Sequence, residues 1–158
     1  MVILPPVIIL PPSCRHWCDW AIASTSAVDG SGNLYFGGYL AFGNLTVPAL
    51  ARIGNGDALV LKLDAATGNI AWIRNFGGTG GAGAVAQTAG LSVRGTIVYA
   101  TGTYASTDLT TPPLTRIGNN DTFVFNLDTA TGSVAWAKGF GGAGAITLAQ
   151  ALAIDGPG

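Results

Sequence analysis

The chain has 158 residues, a formal net charge of −1, and a charged fraction of 9% against an apolar fraction of 49%. It is long enough to bury a real core, while so sparse a set of charges excludes a basic tract for nucleic acid or a basic amphipathic segment for a membrane surface. Twenty-four glycines, with little Glu or Lys, speak against a helical protein and for short strands joined by turns.

Residues 1–20 read as an irregular, Pro-rich segment. Met1 to Pro12 is apolar but interrupted at Pro5, Pro6, Pro11 and Pro12. It therefore lacks the roughly 20 continuous apolar residues of a spanning helix, and it has no basic start or long unbroken run of a secretory signal. Cys14 and Cys18 flank His16, the only histidine. A metal site needs a second ligand pair, which is missing, so the two thiols read as incidental.

Residues 21–84 carry four apolar runs, near 21–28, 33–42, 57–64 and 69–76. Residues 85–145 carry four more, near 85–93, 96–104, 121–128 and 133–140. Each has strand length and is rich in Val, Ile, Leu, Tyr, Phe and Trp. Turn chemistry separates them: Asp29-Gly30-Ser31-Gly32-Asn33 in the first set, then Asp64-Ala65-Ala66-Thr67-Gly68 and its counterpart Asp128-Thr129-Ala130-Thr131-Gly132. The connections at 43–56 and 106–120 are long, and contain Pro48, Pro112 and Pro113. Insertions of this kind usually line one face of a repeat protein, often the binding face. Residues 146–158 begin a third set.

The two sets are copies. Shifted by 64 residues, RIGNGDALVLKLDAATGNIAWIRNFGG at 52–78 meets RIGNNDTFVFNLDTATGSVAWAKGFGG at 116–142 with 16 of 27 positions identical. Upstream, Tyr35 meets Tyr99, Gly38 meets Gly102, Leu45 meets Leu109, Pro48 meets Pro112 and Leu50 meets Leu114. One residue is gained further back, so AVDG at 27–30 meets SVRG at 92–95, and AIDG at 153–156 opens the third copy. Four-stranded meanders repeated at a fixed period, each with too little core to stand alone, predict an all-β fold. The expected architecture is a β-propeller fragment of about two four-stranded antiparallel blades plus the start of a third.

The pattern AVDGSGNLYFGGY, DALVLKLDAATGNIAW and NFGG resembles the SBBP-type β-propeller repeat of bacterial surface and secreted proteins. The second copy supplies DTFVFNLDTATGSVAW and GFGG, while its SVRGTIVYATG departs from the pattern by lacking the Asp and the Gly-Asn. The resemblance covers residues 21–156 and implies an extracellular or cell-surface bacterial protein. A related resemblance is to the repeats of pyrroloquinoline quinone enzymes, in which D-x-x-T-G-x-x-x-W closes each blade. Asp64, Thr67, Gly68 and Trp72 match it, as do Asp128, Thr131, Gly132 and Trp136. In that family the motif is structural, with the Trp docked between blades, so it does not by itself imply the cofactor.

Each residue that stands out has a structural reading. Trp72 and Trp136 recur at one register and read as inter-blade core rather than as sugar- or quinone-stacking rings. Asp29, Ser31 and Asn33 alternate oxygen side chains as a calcium loop does, but lack the later acid, so a turn is expected. Asp57 and Asp121 follow Arg-Ile-Gly-Asn; they either pair with Arg52 and Arg116 or cap the loop entering the third strand. The glycines at 77–83 and 141–144 have no following Lys-Ser or Lys-Thr, so they read as flexible connections rather than phosphate loops. No Ser-His-acid set or GxSxG elbow occurs. Asp64 and Asp128 occupy equivalent turns, too far apart to face one substrate.

The expectation is a non-enzymatic binding or scaffolding module, with no cofactor, metal site or catalytic residue assigned. Its partner would be a protein or glycan, and its ring would be closed by further blades or by self-association. A quinoprotein fragment and a lectin completed by oligomerisation are the alternatives.

Overall fold

A computed structural model describes residues 20–41, 44–46, 48–79 and 85–155. The expectations for Cys14, His16, Cys18 and the glycines at 80–83 lie outside these residues. The described chain is all-β, with no helix. In order the strands are β1 (Trp20–Val28), β2 (Leu34–Ala41), β3 (Leu45–Thr46), β4 (Ala49–Leu50), β5 (Gly56–Leu63) and β6 (Ile70–Phe76). They continue as β7 (Ala86–Arg94), β8 (Ile97–Tyr104), β9 (Asp108–Thr110), β10 (Pro113–Thr115), β11 (Asp121–Asp128) and β12 (Val134–Phe140). The eight long strands fall on the eight apolar runs read from the sequence.

Two antiparallel four-stranded sheets result, ordered β1-β2-β5-β6 and β7-β8-β11-β12. Each long connection folds into a two-stranded ribbon, β3-β4 or β9-β10. The registers also repeat. Val28, Leu34, Leu63 and Ile70 form one row across the first sheet, and Val93, Val98, Leu127 and Val134 form the matching row of the second. The hairpins from β5 to β6 and from β11 to β12 each carry a bulge, after Lys62 and after Asn126. The bulge accommodates a five-residue turn whose glycine is left-handed, at φ 69° for Gly68 and 70° for Gly132.

The sheets share one core. Tyr35, Ala58, Val60, Trp72 and Phe76 of the first sheet are buried against Val98, Ala100, Phe123, Phe125 and Leu127 of the second. These are alternate residues of their strands, so each sheet presents one face to the other. Phe76 meets Phe125 with ring centroids 4.7 Å apart, and Phe125 stacks on Phe123 at 4.3 Å. Polar ties reinforce the seam: Ser24 Oγ donates to the Thr88 carbonyl at 2.6 Å. Two isolated parallel bridges, Gly56 with Val85 and Asn120 with Ile146, connect each third strand to the segment entering the next set. Residues 147–155 form no strand, yet they lie along the second sheet. Ala149 N–H donates to Thr103 Oγ1 at 3.2 Å, and Asp155 stands 3.9 Å from Arg94.

Candidate functional site

An open cleft of about 440 Å³ lies beside the first strands of the two sheets. Ser24 of β1, Gln87 and Ala89 of β7, Thr103 of β8, Asn120 and Gln150 line it. The outward turn of these side chains follows from strand alternation, because Ala86 and Thr88 point into the seam and are buried. The lining holds no ionisable group. The Gln87 and Gln150 amides make no hydrogen bond among the described residues. The cleft can therefore offer amide and hydroxyl donors and acceptors to an uncharged polar ligand, but no acid, base or nucleophile pair. No group of three or more His, Cys, Asp or Glu able to hold a metal ion occurs among the described residues. No helix there is long and apolar enough to cross a membrane.

The residues singled out from the sequence lie elsewhere. Asp64 Oδ1 accepts from the Ala66 and Thr67 amides and from Thr67 Oγ1, at 3.1, 2.9 and 2.8 Å. Asp128 repeats this with Ala130 and Thr131, at 3.0, 2.8 and 2.8 Å. The threonine hydroxyl, followed by the amides, holds each carboxyl below its ordinary value of 3.8. Asp29 is also a turn residue: it accepts from the Ser31 and Asn33 amides, from Asn33 Nδ2 and from the Tyr35 hydroxyl. Burial works against its ionisation, but the hydrogen bonds led by Asn33 outweigh it and lower the carboxyl below 3.8.

Asp57 and Asp121 do not pair with their arginines. Both are fully buried. Asp57 accepts from Ile53 and Gly54 N–H at 2.7 and 2.8 Å and from Asn75 Nδ2 at 2.6 Å. Asp121 accepts from Ile117 and Gly118 N–H at 2.5 and 2.9 Å. Arg52 instead donates to the Asn55 carbonyl, and Arg116 to that of Asn119 at 2.7 Å. The loop-cap reading is the one observed. The carboxylates also explain the Phe-Gly-Gly that ends each copy, because a Cβ on Gly77 or Gly141 would fall inside the Asp57 or Asp121 carboxylate.

Two expectations need correction. The Gly77-Gly78 stretch is not loose: it is buried, and its Gly77 carbonyl accepts from Thr110 N–H and Oγ1 at 3.0 and 3.1 Å. The β9-β10 ribbon thus ties the second sheet to the end of the first. Trp72 is core, with 6% exposure, but Trp136 is 42% exposed. The difference has a visible cause. The Asp128–Ser133 turn reaches across the seam onto Trp72: Trp72 Nε1 and Lys62 Nζ donate to the Thr129 carbonyl at 3.0 and 3.1 Å, and Arg74 to that of Thr131 at 2.6 Å. Gly132 lies so close that a Cβ there would stand 2.7 Å from the indole. Among the described residues no such turn lies on Trp136, whose ring contact is with Tyr99 at 6.2 Å.

The sequence reading missed the cleft, since Ser24, Ala89 and Gln150 share no residue type that a motif could catch. It also missed that the Asp128–Ser133 turn of the second copy serves Trp72 of the first. The spacing of 57 residues between Trp72 and Thr129 crosses the period and is silent in a pairwise alignment. No protein-family model matches the chain, and no curated protein matches it.

Proposed function

We propose that the chain is a non-enzymatic β-propeller repeat module of a secreted or cell-surface bacterial protein. Its two four-stranded sheets are consecutive blades, and its role is to bind an uncharged polar ligand in the cleft along their innermost strands. The observation that carries the reading is the composition of that cleft: amide, hydroxyl and aliphatic side chains without an ionisable group. A neutral glycan matches this chemistry, because its hydroxyls pair with free amides and need no charge compensation. The turn aspartates support a non-enzymatic role, since their oxygens are engaged in local backbone hydrogen bonds.

The test is an array of neutral and acidic glycans probed with the whole chain, followed by calorimetry. Neutral glycans are expected to bind, and the double variant Gln87→Ala, Gln150→Ala to lose at least tenfold in affinity, about 1.4 kcal/mol. Undiminished binding by the double variant, or selective binding of acidic glycans, overturns the assignment of this cleft. Silence across the array leaves a purely structural role.

A further inference from the structure

We infer that this chain carries the two halves of a head-to-tail contact with a second copy of itself, the open face of the second sheet receiving the open face of the first. The contact between the two sheets of one chain supplies the pattern. There, a donor face (Tyr35, Trp72 and Phe76) is covered by an acceptor face consisting of the row Val93, Val98, Leu127 and Val134 and the Asp128–Ser133 turn. Val98 and Leu127 are fully buried, and Val93 and Val134 pack on the same core.

Both faces exist a second time, and among the described residues neither is covered. The second donor face has Tyr99, Trp136 and Phe140 at the equivalent positions, with Trp136 42% and Phe140 54% exposed, whereas their counterparts Trp72 and Phe76 are 6% and 2% exposed. The second acceptor face is the row Val28, Leu34, Leu63 and Ile70, of which Val28, Leu34 and Ile70 are 59%, 41% and 40% exposed. Its turn is complete: Asp64, Thr67 and Gly68 hold the same hydrogen bonds and left-handed glycine as the turn already docked on Trp72. A Cβ on Gly68 would meet nothing within 4 Å, whereas one on Gly132 would strike an indole. A finished turn without its tryptophan and a tryptophan without its turn are thus presented at opposite ends of one molecule.

In the resulting pair, Gly68 of one copy lies on Trp136 of the other. Trp136 Nε1 donates to the Ala65 carbonyl, as Trp72 does to Thr129, and Lys138 takes the place of Arg74 toward the Thr67 carbonyl. The contact is heterologous, so the pair keeps one free donor face and one free acceptor face, and association continues until a ring closes or a filament grows. This assembly does not depend on the ligand proposed for the cleft.

The experiment uses two surface variants, Trp136→Glu to block the donor face and Leu34→Glu to block the acceptor face, with far-UV circular dichroism to confirm folding. Phe140→Lys and Ile70→Lys replace either variant that fails to fold. Sedimentation velocity is expected to show the unaltered chain associating as concentration rises, and each variant alone as a monomer. Mixed in equal amounts, the variants are expected to form a one-to-one dimer, because one intact donor face and one intact acceptor face remain. A monomeric unaltered chain, or variants that assemble alone or stay monomeric when mixed, overturns the inference.

Discussion

Asp57 and Asp121 show how much a single buried acid organises. Each satisfies the amides of the loop that enters a third strand, and each requires the glycine that begins the closing Gly-Gly of its copy. Asp57→Ala leaves the Ile53 and Gly54 amides and the Asn75 side chain without their acceptor. It is expected to lower unfolding free energy by about 2–4 kcal/mol, checked by urea titration. Gly77→Ala is expected to destabilise by a similar amount, because the carboxylate it would strike is fixed by three donors. The turn aspartates have a pH signature instead. Their folded-state values lie below the ordinary 3.8, so their contribution is fully present above that value and is lost as pH falls through the lowered folded value. Replacing both threonines, as Thr67→Val with Thr131→Val, is expected to shift the onset of acid unfolding to higher pH, as followed by circular dichroism. Tyr104 belongs to the same scale: burial, followed by the nearby Asp121 carboxylate, pushes its hydroxyl up to about 12, so it stays neutral throughout the working range.

At the scale of strands and turns, the eight long strands were legible because alternation, β-branched and aromatic content and Asp-Gly turn chemistry all pointed the same way. The ribbons β3-β4 and β9-β10 were not: they are two or three residues long. The β9-β10 ribbon is seated on the Gly77 carbonyl, just beyond β6, through Thr110, and neither ribbon has a periodic pattern of its own. The two tryptophans were read alike because their local sequences are alike. What separates them is a turn 57 residues downstream of Trp72 that has no counterpart beyond Trp136 among the described residues. Trp72→Ala is therefore expected to cost about 3–5 kcal/mol, while Trp136→Ala, measured at concentrations where the chain is monomeric, is expected to cost under about 1 kcal/mol. Equal losses in urea denaturation would contradict the asymmetry.

At the scale of the molecule, the two sheets cannot be parted without exposing Phe76, Phe123 and Phe125 together. Tryptophan fluorescence and far-UV circular dichroism are accordingly expected to report one coincident transition, and two separated transitions would show that the sheets unfold as independent units. The period and the four-strand content of each copy were readable in the chain. The cleft was not, because its lining comes from β1, β7, β8 and residues beyond β12, which only the relative placement of the sheets brings together. The turn seated on Trp72 also has a consequence during synthesis. The indole leaves the ribosome 57 residues ahead of the carbonyl that will accept its hydrogen bond, and at about 5–20 residues per second that interval is roughly 3–11 s. For that time the nascent chain holds an open tryptophan, while neighbouring nascent chains translated past Asn69 on the same messenger offer an almost identical turn, Asp64 to Asn69. The growing chain must engage its own later turn before a sister's earlier one, so crowded polysomes are where entangled products of this sequence would first form.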